Sequence, residues 1–136
     1  MEPILIACLG YASLAFLLTL FMTSLRSWLT LSGKRAANSF GVDGSDVSPF
    51  AQRLSRAHAN CYENAPYLCL IVLVATSTGS LELLNGLAYV FLAARVLQST
   101  AHLIATTNGA VITRALFFFT QLLIQVYWML SLVFGA

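Results

Sequence analysis

Between Arg53 and Tyr67 the chain reads "RLSRAHANCYENAPY", which places arginine, histidine, asparagine and glutamate at the head of an apolar run. At about 100° per residue, Arg53, Arg56, Asn60, Glu63, Asn64 and Tyr67 fall within an arc of about 100° and form one stripe down a helix. His58 and Cys61 fall outside that stripe. A solvated helix end whose arginines snorkel to lipid phosphates would account for Arg53 and Arg56. It accounts poorly for Glu63, which lies about 15 Å further along the axis, where an unpaired carboxylate costs several kcal/mol once desolvated. The stripe is therefore read as a wall of a binding site. The bland reading has Glu63 neutralised by a neighbouring arginine.

Other charges stand in otherwise apolar surroundings. Arg95 lies roughly 18 Å into a segment that starts near Leu83, and an ionisable residue at that depth is by default a functional candidate facing a bundle interior. His102 follows seven residues later on the same face, with Ser99 close by. A lone histidine in a membrane span is more often a hydrogen-bonded packing residue than a catalyst. Arg114 opens the last apolar segment, which continues with Gln121 and Gln125, suited to interhelical hydrogen bonds or to ligand contacts. Arg53, Arg56, Arg95 and Arg114 outnumber the one internal carboxylate, Glu63. That excess favours an anion, and arginine forks suit carboxylates in particular. Glu63 and Asn60 beside them suit an ammonium or amides, so a small zwitterionic peptide with more than one carboxylate fits. Charge and spacing reach no further than that class.

The elements that must position these groups are membrane helices. Of the 136 residues 59% are hydrophobic and 9% charged, with mean hydropathy +0.82, against roughly 25% charged in soluble domains. Residues 3–25, 64–81 and 115–136 carry no charge, and 83–105 is interrupted only by Arg95. With roughly 20 apolar residues needed per span, the expectation is an all-α bundle of four transmembrane helices at about 3–31, 49–78, 82–105 and 112–135, in a single domain of residues 1–136. A cleaved signal peptide is the competing reading of the first segment, but "MEPILIACLG" is acidic where a signal is basic.

Arg26, Lys34, Arg35, Arg53 and Arg56 cluster around the first connection, 32–48, which is expected to be cytoplasmic with both termini on the opposite side. That loop is rich in Gly, Ser, Asn and Asp, and Ser48-Pro49 reads as a helix start. Pro66 should kink the second helix just after its polar part. Asn108-Gly109 reads as the breaker that ends the third. The cysteines (Cys8, Cys61, Cys69) show no disulfide or metal spacing, so no metal is expected. Nothing points to nucleic acid.

"RLSRAHANCYENAPY" closely resembles the helix-two signature of the MAPEG family, membrane-associated proteins of eicosanoid and glutathione metabolism. "ARVLQSTAH" and "TRALFFF" resemble, less specifically, its helix-three and helix-four arginine segments. The resemblance runs over essentially the whole chain. It implies a homotrimer of four-helix subunits with glutathione as co-substrate between neighbours near the cytoplasmic face. Arg56 and Asn60 would hold the carboxylates and amides, Glu63 the γ-glutamyl ammonium, and Arg114 the thiolate. Arg53 and His58 would support the site, with Asn64, Tyr67, Arg95 and His102 as further ligand contacts. This chain departs from the pattern in having His102 and Asn64 where members have tyrosines, and Ala115 after the helix-four arginine where one member type has serine. A late helix-one arginine has no clear counterpart, leaving Lys34 or Arg35 as stand-ins.

The function so implied is a glutathione transferase or peroxidase, acting on hydrophobic electrophiles or lipid peroxides that reach it through the bilayer, a detoxification role. The alternatives are a non-catalytic glutathione- or lipid-binding protein of the same fold, and a small transporter, which "STGSLE" does not favour because it offers no polar entrance opposite the stripe. The membrane would be a bacterial inner membrane or the endoplasmic reticulum.

Overall fold

The computed structural model describes residues 1–135, and all of its regular structure is helical. Four α-helices follow one another: α1, Pro3–Leu31; α2, Pro49–Ser77; α3, Ala88–Ile104; and α4, Asn108–Phe134. A 3-10 stretch, Leu81–Leu87, leads directly into α3. Each start has a local cause. Pro3 and Pro49 supply the fixed φ of a first turn. The Ser48 hydroxyl accepts from the Ala51 amide at 3.0 Å, and the Thr107 hydroxyl from the Ala110 amide at 3.3 Å. At the head of α1 the Asn85 carboxamide oxygen accepts from the Ile4 amide at 3.2 Å, while its NH2 donates to the Glu2 carboxylate. Asn85 thus ties the 3-10 stretch to the start of the chain.

Two helix starts differ from the sequence expectation. The third α-helix begins at Ala88, after the 3-10 stretch, rather than near 82, and Asn108-Gly109, expected as the breaker after it, forms the first turn of α4 instead. The Thr107 cap explains this, because a capped first turn tolerates Asn and Gly where a helix interior does not.

Three stretches are long and apolar enough to cross a membrane by length and composition: Pro3–Leu31, Leu81–Ile104 and Asn108–Phe134. The second helix falls short. Its uncharged part, 64–77, is about 21 Å long at 1.5 Å per residue, against about 30 Å of hydrocarbon. If α2 crosses, its polar turns enter with it.

The core runs along the bundle axis. Trp128, Phe91, Leu84, Ile4 and Ile71 fill one end, and Leu18, Leu54, Ala57 and Cys61 the other. Buried alanines (Ala7, Ala57, Ala75, Ala88) let the helices approach closely. Gly10 marks a close approach of α1 to α3, where a Cβ would lie 2.7 Å from Leu92 Cδ2. The outer surface is apolar, with Phe16, Phe21, Leu73, Phe119 and Leu123 all exposed.

The 32–48 connection folds into a clamped structure. Arg35 donates to the Asp46 carboxylate at 2.7 Å, to the Asp46 carbonyl at 2.5 Å and to the Ser39 carbonyl at 2.8 Å. The Asp46 carboxylate also accepts from the Gly41 amide at 2.9 Å. Arg26 reaches back from α1 to the Gly41 carbonyl at 3.1 Å, and the Arg26 and Arg35 guanidiniums both pack on the Phe40 ring. Lys34 sits over Trp28 at 4.2 Å from the ring centroid. Arg26 and Arg35 are thus committed to the loop and Lys34 to Trp28.

Candidate functional site

The polar face of α2 divides in two when α3 packs against it. Asn60 turns inward: its side-chain oxygen accepts from Arg95 Nη1 at 2.5 Å. Arg95 is 1% exposed, and its guanidinium carbon lies 5.0 Å from the Tyr11 ring centroid. Its Nε has no partner among the described residues. A desolvated cation held by one amide and one aromatic face is stabilised by about 2 kcal/mol from the ring, well below the cost of burying an unpaired charge. Asn64 is buried too, and donates to the Asn60 carbonyl at 2.7 Å. Its carboxamide NH2 is spent on its own helix.

Tyr11 is the residue the sequence reading passed over. Its ring lies beside Arg95 and Phe91, and its hydroxyl donates to the Cys61 carbonyl at 2.6 Å. The turn before Pro66 therefore takes side-chain donors from two directions, Tyr11 on Cys61 and Asn64 on Asn60, while the carbonyl that the proline itself leaves without a helical donor is that of Tyr62. A tyrosine in an otherwise aliphatic span was the available signal, since a buried phenol usually finds a partner.

Arg56, Glu63 and Tyr67 remain exposed on the other part of the face. Among the described residues the ion pair is Arg35–Asp46, so no arginine of those residues neutralises Glu63, contrary to the bland reading. Arg53 is engaged: its Nε donates to the Leu103 carbonyl at 2.9 Å, at the end of α3, where the helix dipole favours a cation. His58 lies on the far side of α2, its ring 5.5 Å from that of Tyr62, in a groove of about 300 Å³ shared with Met22, Arg26 and Phe40. The structure does not bring it to Arg95 or Asn60.

His102 and Arg114 meet across α3 and α4, with Arg114 Nη1 3.4 Å from His102 Nδ1. Further along the same helix pair, Gln121 donates to the Gln98 side-chain oxygen at 2.8 Å and to the Phe117 carbonyl at 2.9 Å. Gln121 is thus used as interhelical glue. Gln125 instead lines an apolar cavity of about 250 Å³ between α2 and α4, with Tyr67, Ile71, Val126 and Met129. Among the described residues no three His, Cys, Asp or Glu side chains come together as metal ligands would.

Arg114 and His102 are in contact, and among the described residues Arg56, Arg95 and Arg114 are in no ion pair. The fold defines an all-helical protein with membrane-length apolar helices and a polar seam. A family model described as the MAPEG family matches residues 7–134, nearly the whole chain, and the chain belongs to that family. It is accordingly a membrane protein of glutathione or eicosanoid metabolism. No curated protein and no solved structure matched the chain.

Proposed function

We propose that this protein is a glutathione-dependent membrane enzyme, a transferase or peroxidase for hydrophobic electrophiles or lipid peroxides. In this reading four helices cross the membrane, both termini face away from the cytoplasm, and three copies assemble with the peptide between neighbours. The observations that carry it are the contact of Arg114 with His102 and the exposure of Arg56 and Glu63 on the polar face of α2, none of these charges standing in an ion pair among the described residues. Glutathione supplies two carboxylates to these arginines and an ammonium to Glu63, which is otherwise an unmatched charge. In this reading Arg114, the helix-four cation, favours the thiolate, the form that attacks an electrophile. In transfer, the sulfur forms a bond to the electrophilic carbon as the leaving group departs with its electron pair. The exposed apolar surface around the polar face lets a bilayer-dissolved substrate approach sideways.

The test is an ultraviolet difference titration of the purified protein with reduced glutathione, beside Arg114→Ala and Glu63→Gln. Wild type should show a saturable thiolate band. Arg114→Ala should lower turnover by about 100-fold, the scale of losing one preorganised charge-stabilising donor, while weakening binding far less. Glu63→Gln should weaken binding by roughly 10-fold or more, as expected for loss of a charge-assisted hydrogen bond. Saturable binding without a thiolate band would instead favour a non-catalytic binding protein. Absence of binding would sink both readings.

A further inference from the structure

The last two turns of α1 and the connection after them border a groove that the glutathione reading does not use. It measures about 500 Å³, and its walls include Arg26, Ser27, Thr30, Leu31, Asn38 and Phe40. Among the described residues that line it there is no acidic side chain. Its depth follows from the sequence. Residues 3–25 carry no charge, which at 1.5 Å per residue is about 34 Å of helix, close to the roughly 30 Å of hydrocarbon that a span crosses. Arg26 is the first charge beyond that stretch, so with α1 spanning the bilayer it stands at the level of the lipid phosphates. Lys34, 4.2 Å from the centroid of the Trp28 ring, marks the same level, where aromatic rings and cations belong.

The polar groups around the groove are held in place but not used up. Arg26 Nη2 donates to the Gly41 carbonyl at 3.1 Å, and its guanidinium carbon lies 5.6 Å from the Phe40 ring centroid. A guanidinium has five N–H donors, and Arg26 is in no ion pair among the described residues. The loop therefore fixes the position of this cation without neutralising it. The hydroxyls differ from others in the bundle. Thr19, Thr76, Thr100, Thr113 and Thr120 each donate to the carbonyl four residues back. Ser27, Thr30 and Asn38, on the wall of the groove, have no side-chain hydrogen bond among the described residues. A fixed guanidinium matches phosphate oxygens, and the hydroxyls and carboxamide beside it match a head that carries hydroxyls of its own. We propose that this groove binds the headgroup of an anionic phospholipid, with Arg26 on the phosphate and Ser27, Thr30 and Asn38 on the polar head. A soluble phosphate ester uses the polar wall alone. A lipid also covers Leu20 and Phe16, which lie seven and eleven residues before Ser27, exposed on the same face of α1. The site is independent of the glutathione reading, since its walls come from α1 and the connection, with none from α2, α3 or α4.

Native mass spectrometry of the detergent-purified protein, titrated with phosphatidylglycerol or phosphatidylcholine, tests it. Wild type should retain one phosphatidylglycerol per chain, about 5-fold or more tightly than phosphatidylcholine, whose own cation offsets its phosphate. Arg26→Gln should weaken retention by about 10-fold or more, the scale of a lost charge-assisted hydrogen bond, and Thr30→Val by about 5-fold, the scale of a neutral one. Lys34→Gln removes an equal charge from outside the groove and should change retention by less than about twofold, as for an exposed charge screened by salt. Because Arg26 also holds the loop, hydrogen exchange at the Gly41 amide checks that Arg26→Gln keeps its fold. Thr30→Val, whose side chain holds no loop bond, carries the test where that check fails. Equal weakening by Arg26→Gln and Lys34→Gln would overturn the proposal, because retention would then report surface charge alone. Unchanged retention in Thr30→Val would overturn it too, by removing the groove wall from the contact. Displacement of the lipid by an equal concentration of glycerol 3-phosphate would make this a site for soluble phosphate esters and overturn the lipid assignment.

Discussion

Arg95 shows what a single residue demands of a bundle. A guanidinium 1% exposed is in no ion pair among the described residues, so an amide from α2 and a phenol ring from α1 do what they can. Tyr11 serves twice, because its hydroxyl also holds the Cys61 carbonyl ahead of Pro66. Tyr11→Phe should cost about 1 kcal/mol, the net value of one hydrogen bond, and lower the thermal midpoint by a few degrees. Tyr11→Leu removes the ring as well and should cost roughly 2 kcal/mol more, in line with a desolvated cation–π contact. Thermal unfolding in one detergent compares the two, and equal losses would mean that the ring contributes nothing to holding Arg95. Periodicity alone could place Asn60 and Glu63 on one face of α2. It could not say that Asn60 looks at α3 while Glu63 looks outward, because that depends on where α3 sits.

At the scale of elements, the 32–48 connection is more ordered than its composition suggests. Arg35 spans it, and the Asp46 carboxyl is held below the ordinary value of 3.8, first by the Gly41 amide and then by Arg35. A carboxyl lowered on folding contributes its stabilisation above the unfolded value and loses it as pH falls through the folded one. Protection of the Gly41 amide from hydrogen exchange should therefore hold at neutral pH and fade below the ordinary aspartate value. In Asp46→Asn it should be weak at every pH, and a protected amide in that variant would show that the clamp does not depend on the charge. Gly44 is a separate constraint, with φ of 73° and a Cβ position 2.7 Å from the Ala51 carbonyl oxygen. Gly44→Ala should cost about 2 kcal/mol or more, seen as a drop of several degrees in the thermal midpoint, since both the left-handed backbone and the contact oppose it. Cap chemistry explains which helix boundaries could be read in advance. Ser48-Pro49 has an unambiguous signature. Thr107 was masked by the Asn-Gly pair that follows it, which signals a turn when read alone.

Taken whole, the single chain leaves charged groups facing outward. Arg56, Glu63 and Tyr67 are exposed on the helix whose uncharged part is too short to cross hydrocarbon alone. A charged pair of this kind is costly against lipid, and neighbouring copies are the simplest way to cover it. We expect native mass spectrometry of the detergent-purified protein to report a trimer, with Glu63→Lys shifting the population towards smaller species. A strictly monomeric wild type that still bound glutathione would refute the shared-site arrangement while leaving the binding residues in place.

The sequence by itself determined the class of the molecule. Charge-poor stretches of membrane length, one dense polar stripe and the proline after it are properties of local composition and spacing, and no packing is needed to read them. The family signature is equally local. Tertiary structure alone decided which polar groups are spent and which remain for a ligand. Arg53 is taken by the end of α3, Asn64 by its own helix, Gln121 by Gln98, and Arg35 by the loop, whereas Arg56 and Glu63 stay open. The reason is physical: a hydrogen-bonding group commits to whichever partner the folded chain brings within about 3 Å, and groups far apart in sequence meet only when the helices pack.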